Sequence, residues 1–138
     1  MNQSVRILIG VLTGLILGSA VNMGIVMLGS ELIPFPIPLD SPQEELKKVI
    51  PTLGFEYFVF PFLAHAFGTF IGALFSGRIG QKQYASLIIG AFFLIGGIVN
   101  IFMIPAPLAF VIIDIALAYI PMALLGWYFA VKVTPKKG

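Results

Sequence analysis

Apolar residues fill four long runs of this chain, and proline, glycine or charge separates one run from the next. The first is uncharged from Ile7 to Ser30 and exceeds the about 20 residues that cross hydrocarbon as a helix. It is also longer than the apolar core of a cleaved signal peptide, so a retained span over about 5–29 is predicted. The segment after it breaks on Pro34, Pro36 and Pro38, which lack the N–H a helix needs. Ser41, Pro42 and Glu44 then have the spacing of a capping box, starting a short helix over about 42–50. Leu46, Val49 and Ile50 mark one side of it and Glu45, Lys47 and Lys48 the other, as expected of a helix lying on a membrane surface.

A second span is predicted over about 55–77, with Pro61 in its first third. Tyr84 to Val131 then carries a single charge, Asp114, over 48 residues. As one helix this run would extend about 72 Å, more than twice the hydrocarbon thickness, so it must fold back. Pro105 and Pro107 mark the turn and divide it into spans of about 84–104 and 108–130. The expected architecture is all-α and polytopic, with four transmembrane helices in two hairpins and the surface helix in the first extracytoplasmic loop.

Composition agrees with this reading. Of 138 residues, 59% are apolar and 10% charged, too apolar a mixture to hide in a soluble domain of this size. The net charge of +2 does not form the basic stripe that nucleic acid requires. Arg6, then Arg78 and Lys82, then Lys132, Lys136 and Lys137 flank span ends that an even topology puts on one side. The segment from Glu31 to Lys48 holds four acids and two lysines on the other. The positive-inside bias therefore places both termini in the cytoplasm, in a plasma or bacterial inner membrane.

Two rows of small residues, Gly10, Gly14 and Gly18 on span one and Gly68, Gly72 and Ser76 on span two, let helices approach closely. They are candidate packing faces within the chain or between the two copies of a homodimer. A short echo, Val21-Asn22-Met23 and Val99-Asn100-Ile101, each followed by a Pro-X-Pro element, hints at a parallel repeat of two hairpins.

The chain has no cysteine and one histidine, His65. Thiol chemistry, thiolate-held metals and a haem bound by two histidines of one chain are thereby excluded, and no metal or cofactor is expected. No nucleotide loop or nucleophile elbow occurs.

The polar residues inside the spans concentrate in the outer half. Counted at 1.5 Å per residue, Asn100 lies about 6 Å deep, Asp114 about 9 Å, Asn22 about 12 Å and His65 about 15 Å. A charge at membrane depth costs about 2.5–3.5 kcal/mol on the insertion scale and is kept where it faces the bundle or water. A purely structural Asp114 would hold span four to a neighbour through Asn22 or Asn100. His65 could equally satisfy a carbonyl across a helix contact or exchange a proton with a carboxylate. Glu56 falls in the first turn of span two, where the helix dipole favours an acid. Tyr119, near mid-depth, needs a partner for its hydroxyl. The neighbouring phenylalanines, Phe92 and Phe93 among them, read as packing or lipid-facing material.

Asn22, Glu56, His65, Asn100, Asp114 and Tyr119 are thus the candidate substrate-binding or proton-relay residues. The expected function is a small transporter or channel-like protein with an outward-opening polar pocket and a protonatable Asp114. A lipid-modifying acid–base enzyme using His65 and a carboxylate is one alternative. A non-catalytic subunit of a membrane complex is the other, and membrane lipids are the expected surroundings in every case.

Overall fold

The structure, a computed structural model, describes residues 1–132. Lys136 and Lys137 of the basic cluster lie outside the described residues. In chain order the helices are α1 (Gln3–Leu32), α2 (Gln43–Val49), α3 (Glu56–Gly80), α4 (Gln83–Met103), α5 (Leu108–Leu117) and α6 (Ile120–Lys132), with a 3-10 turn at Ile50–Thr52 after α2. The described residues are all-helical. Four stretches, α1, α3, α4 and α5 with α6, are long and apolar enough to cross a membrane, which points to an integral membrane protein.

Helices in lipid gain nothing from burying apolar surface against one another, so close van der Waals packing has to hold them together. Here the two glycine rows do so by meeting each other. A Cβ at Gly10 would stand 2.8 Å from the Ser76 carbonyl oxygen, one at Gly18 would stand 2.6 Å from that of Gly68, and one at Gly14 would overlap that of Gly72. The relation is reciprocal, since Gly68 and Gly72 meet the carbonyls of Gly18 and Gly14. Both rows are therefore consumed between α1 and α3, and neither is free as a face for a second copy.

The cytoplasmic half expected from the sequence is closed by the same device. Gly126 of α6 abuts the Phe70 carbonyl of α3, and Gly90 of α4 abuts Ala123. The Ser76 hydroxyl donates to the Ala85 carbonyl at 2.9 Å and the Ser86 hydroxyl to the Ala73 carbonyl at 2.8 Å, stitching α3 to α4 near their turn. These bonds satisfy both hydroxyls, which are fully buried.

Two local expectations are corrected, and the last span carries a break. Ser41 does not cap α2: Pro42 is its N-cap residue, no side chain caps it, and the helix starts at Gln43. The second span, expected to end near residue 77, is longer: α3 runs to Gly80 and ends on Gln81 in the left-handed conformation (φ 54°). The last span is not continuous. Pro121 offers no N–H to the Leu117 carbonyl and its ring crowds that carbonyl, so α5 stops at Leu117 and the ladder resumes with Ala123 N–H donating to Tyr119 O at 2.8 Å.

The apolar side of α2 turns onto the bundle. Leu46 and Ile50 are buried against Phe58 and Phe110, with Phe35 and Ile37 packed beside them. The Gln43 side-chain amide donates to the Met103 carbonyl at the end of α4. The proline-rich loop and α2 thereby cover one end of the helix bundle.

Candidate functional site

Beneath that cover the helices part around a cavity of about 480 Å³, within the about 300–1,000 Å³ range of small-molecule sites. Its wall comes from α1, α3, α4, α5 and the loop after α1, and is mainly aromatic and aliphatic. Polar groups interrupt it at a few points, among them Asn22, Tyr57, His65, Asn100 and Asp114. The cavity is thus more apolar than the sequence suggested. Phe92 and Phe93, expected only to pack, belong to its wall.

The inner end is where the chemistry collects. His65 Nδ1 lies 2.9 Å from each carboxylate oxygen of Asp114. The Tyr119 hydroxyl donates to Asp114 Oδ2 at 2.7 Å, and its oxygen is 2.9 Å from His65 Nδ1. An ionised carboxylate only accepts, so with the Tyr119 proton committed to it, Nδ1 must carry the imidazole proton. That leaves Nε2 as the basic nitrogen, without a hydrogen-bond partner among the described residues and not sealed from the cavity. A carboxylate that fixes the tautomer and orientation of an imidazole is how proteins prepare a histidine to take up a proton.

Backbone breaks and gaps place these side chains. The interruption at Ala118 and Tyr119 lets Tyr119 turn in, fully buried, behind Asp114, which is itself 4% exposed. Gly97 of α4 makes the room, since a Cβ there would overlap the Tyr119 hydroxyl. Neither signal stands out in sequence. A proline two residues after a tyrosine was the available hint of the first, and a glycine pair in α4 the hint of the second.

Of the sequence-derived candidates, His65, Asp114 and Tyr119 are joined by hydrogen bonds, and Asn22 and Asn100 line the same cavity. Asn22 packs its Cβ over Gly68, three residues below His65, and its Oδ1 is buried without a hydrogen-bond partner. Asp114 is held by His65 and Tyr119, not by Asn22 or Asn100 as a purely structural role had suggested. Glu56 is apart from the group: exposed, outside the cavity wall, its carboxylate folds against Gly54 at the start of α3. Thr69, one turn deeper than His65, is fully buried with its hydroxyl unpartnered.

No lysine or arginine lines the cavity, and no cluster of metal-ligating side chains occurs among the described residues. Comparison with family models, with characterised proteins and with solved structures finds no match to this chain.

Proposed function

We propose that this chain is a small membrane transporter in which a cavity in the outer half takes up a mostly apolar solute and the His65–Asp114 pair exchanges a proton with it. The observation that carries the reading is the hydrogen-bonded His65–Asp114–Tyr119 group at the inner end of the cavity, with Nε2 of His65 left unpaired. A carboxylate and an imidazole sharing one proton can change charge state without a bare charge being left in hydrocarbon. Polar contacts kept for packing alone give an average of about 0.6 kcal/mol in a membrane, a small return for burying a carboxyl group.

In this reading the four spans form two hairpins with both termini in the cytoplasm of a plasma or bacterial inner membrane. The segment from Glu31 to Lys48, including α2, is extracytoplasmic, and the closed half of the bundle faces inward. Passage to the cytoplasm then requires α3 and α4 to part, or a second copy to complete the route as a homodimer. The chain lacks cysteine, so single cysteines introduced at Lys47 and Gln81 test the topology directly. Labelling from outside at Lys47 and from inside at Gln81 is expected, and the reverse at Gln81 overturns it.

Proton movement in reconstituted vesicles tests transport. Amphiphilic solutes added to vesicles holding the parent protein are expected to shift internal pH, and the Asp114→Asn variant is expected not to respond. If both proteins fold alike and neither moves protons, the transporter reading fails.

One observation favours a second reading. An imidazole oriented by a carboxylate with Nε2 free is also the arrangement of a general base acting on a lipid. Among the described residues no serine or threonine hydroxyl is hydrogen-bonded to His65, so such an enzyme would move protons only. The accessory-subunit alternative loses its main support, because the glycine faces a foreign helix would use are occupied by α1 and α3.

A further inference from the structure

The cavity pairs one free acceptor with a carboxylate, and among the described residues no lysine or arginine lines it. Nε2 of His65 offers a lone pair, and the Asp114 carboxylate stands behind it. A ligand carrying an N–H group would satisfy that acceptor. A phosphate, sulfate or carboxylate head would instead meet a carboxylate with no lysine or arginine to balance its charge. The remaining wall is rich in aromatic rings, including Tyr57, Phe60, Phe92 and Phe93, and ring faces attract organic cations.

The mouth narrows the class further. The exposed residues of the wall sit mostly on α1 and α4: Met23 is 58% and Phe92 56% exposed, and a Cβ at Gly96 would meet nothing within 4 Å. The proline-rich loop and α2 cover one end, while the close-packed inner half shuts the other. The free approach is therefore sideways, between α1 and α4, from the position lipid would occupy.

We infer that the cavity binds an amphiphilic organic ammonium ion, an apolar body with an N–H-bearing cationic head, which enters laterally and seats its head against His65, next to Asp114. This rests on the transporter reading and names its substrate class. The groups facing His65 decide the proton balance. Asp114 from α5 and Tyr119 from the α5–α6 junction are the titratable ones, Tyr57 of α3 stands elsewhere on the wall, and α1 and α4 contribute only uncharged residues. A donor seated on Nε2 and a proton on Nε2 exclude each other, so uptake of one is coupled to release of the other, which is the exchange a proton-linked carrier of cations needs.

The test is equilibrium dialysis of three naphthyl probes of one shape, 2-naphthylethylamine, 2-naphthylethanol and 2-naphthylacetate, against lipid nanodiscs with and without the protein. The amine is expected to bind saturably, at least about tenfold tighter than the alcohol or the carboxylate. Asp114→Asn should remove the preference for the amine. Gly96→Phe, which places a ring in open space at the mouth, should weaken the amine while leaving thermal unfolding close to the parent's. Equal or better binding of the alcohol or the carboxylate overturns the inference, as does amine selectivity that survives Asp114→Asn or the absence of saturable binding. Amine binding without proton flux would defeat the transporter reading alone. Proton flux driven by the carboxylate would defeat this inference alone.

Discussion

Two neighbouring glycines on α4 separate the packing of the site from ordinary helix propensity. Replacing either Gly96 or Gly97 by alanine removes the same conformational penalty of glycine in a helix, about 1 kcal/mol. A methyl group at 96 meets nothing within 4 Å, whereas at 97 it would overlap the Tyr119 hydroxyl and lie 2.6 Å from that ring's Cζ. Gly97→Ala must push Tyr119 away from Asp114, losing a hydrogen bond to an ionised group worth about 1.5–3 kcal/mol. It also overpacks a filled region at a cost of about 1–3 kcal/mol. After the propensity gain, the expected net destabilisation is about 1.5–5 kcal/mol, against neutrality or a gain of up to about 1 kcal/mol for Gly96→Ala. Unfolding in mixed detergent micelles, followed by far-ultraviolet circular dichroism, reads both. Adding Tyr119→Phe to Gly97→Ala should cost less than the sum of the single changes, because the overlapping hydroxyl is then absent while the ring carbon still obstructs. A Gly97→Ala protein as stable as Gly96→Ala would refute the placement of Tyr119 and the hydrogen-bonded group with it.

Other substitutions probe the frame around the site. Gly14→Val drives a side chain into the Gly72 backbone carbonyl, which cannot swing aside; thermal unfolding should fall by an amount equivalent to about 1–3 kcal/mol or more, while Gly24→Val, in open space, should leave it unchanged. Gln81→Gly places glycine at a left-handed φ of 54° and should stabilise by about 1 kcal/mol, read by the same unfolding titration.

The frame of this molecule was legible because hydrocarbon imposes strong rules. Uncharged runs of fixed length, bounded by Pro34–Pro38, the Gly77–Gln83 segment and Pro105–Pro107, marked the spans to within a few residues. The polar members of the site were legible for the same reason, since a carboxyl, an imidazole and two amides at membrane depth stand out against leucine and phenylalanine. Their pairing was not. Depth along a helix can be counted from sequence, but rotation between helices is set by packing, and the glycine rows set it by locking α1 to α3. Tyr119 shows the limit clearly. Its inward turn depends on a helix break caused by Pro121 and on a notch at Gly97 in another helix, two residues unrelated in sequence. The aromatic wall was hidden likewise, because phenylalanine facing lipid and phenylalanine facing a cavity read alike.

His65 is the only histidine in the chain, so nitrogen-15 labelling of the histidine ring gives a two-line spectrum that reports directly on the central claim. Nuclear magnetic resonance of the protein in nanodiscs should show a proton on Nδ1, hydrogen-bonded to Asp114, and the Nε2 signal should move when the amine probe fills the cavity. Asp114→Asn should disturb that tautomer. A proton found on Nε2 in the parent, with neither nitrogen responding to the probe, would contradict the account.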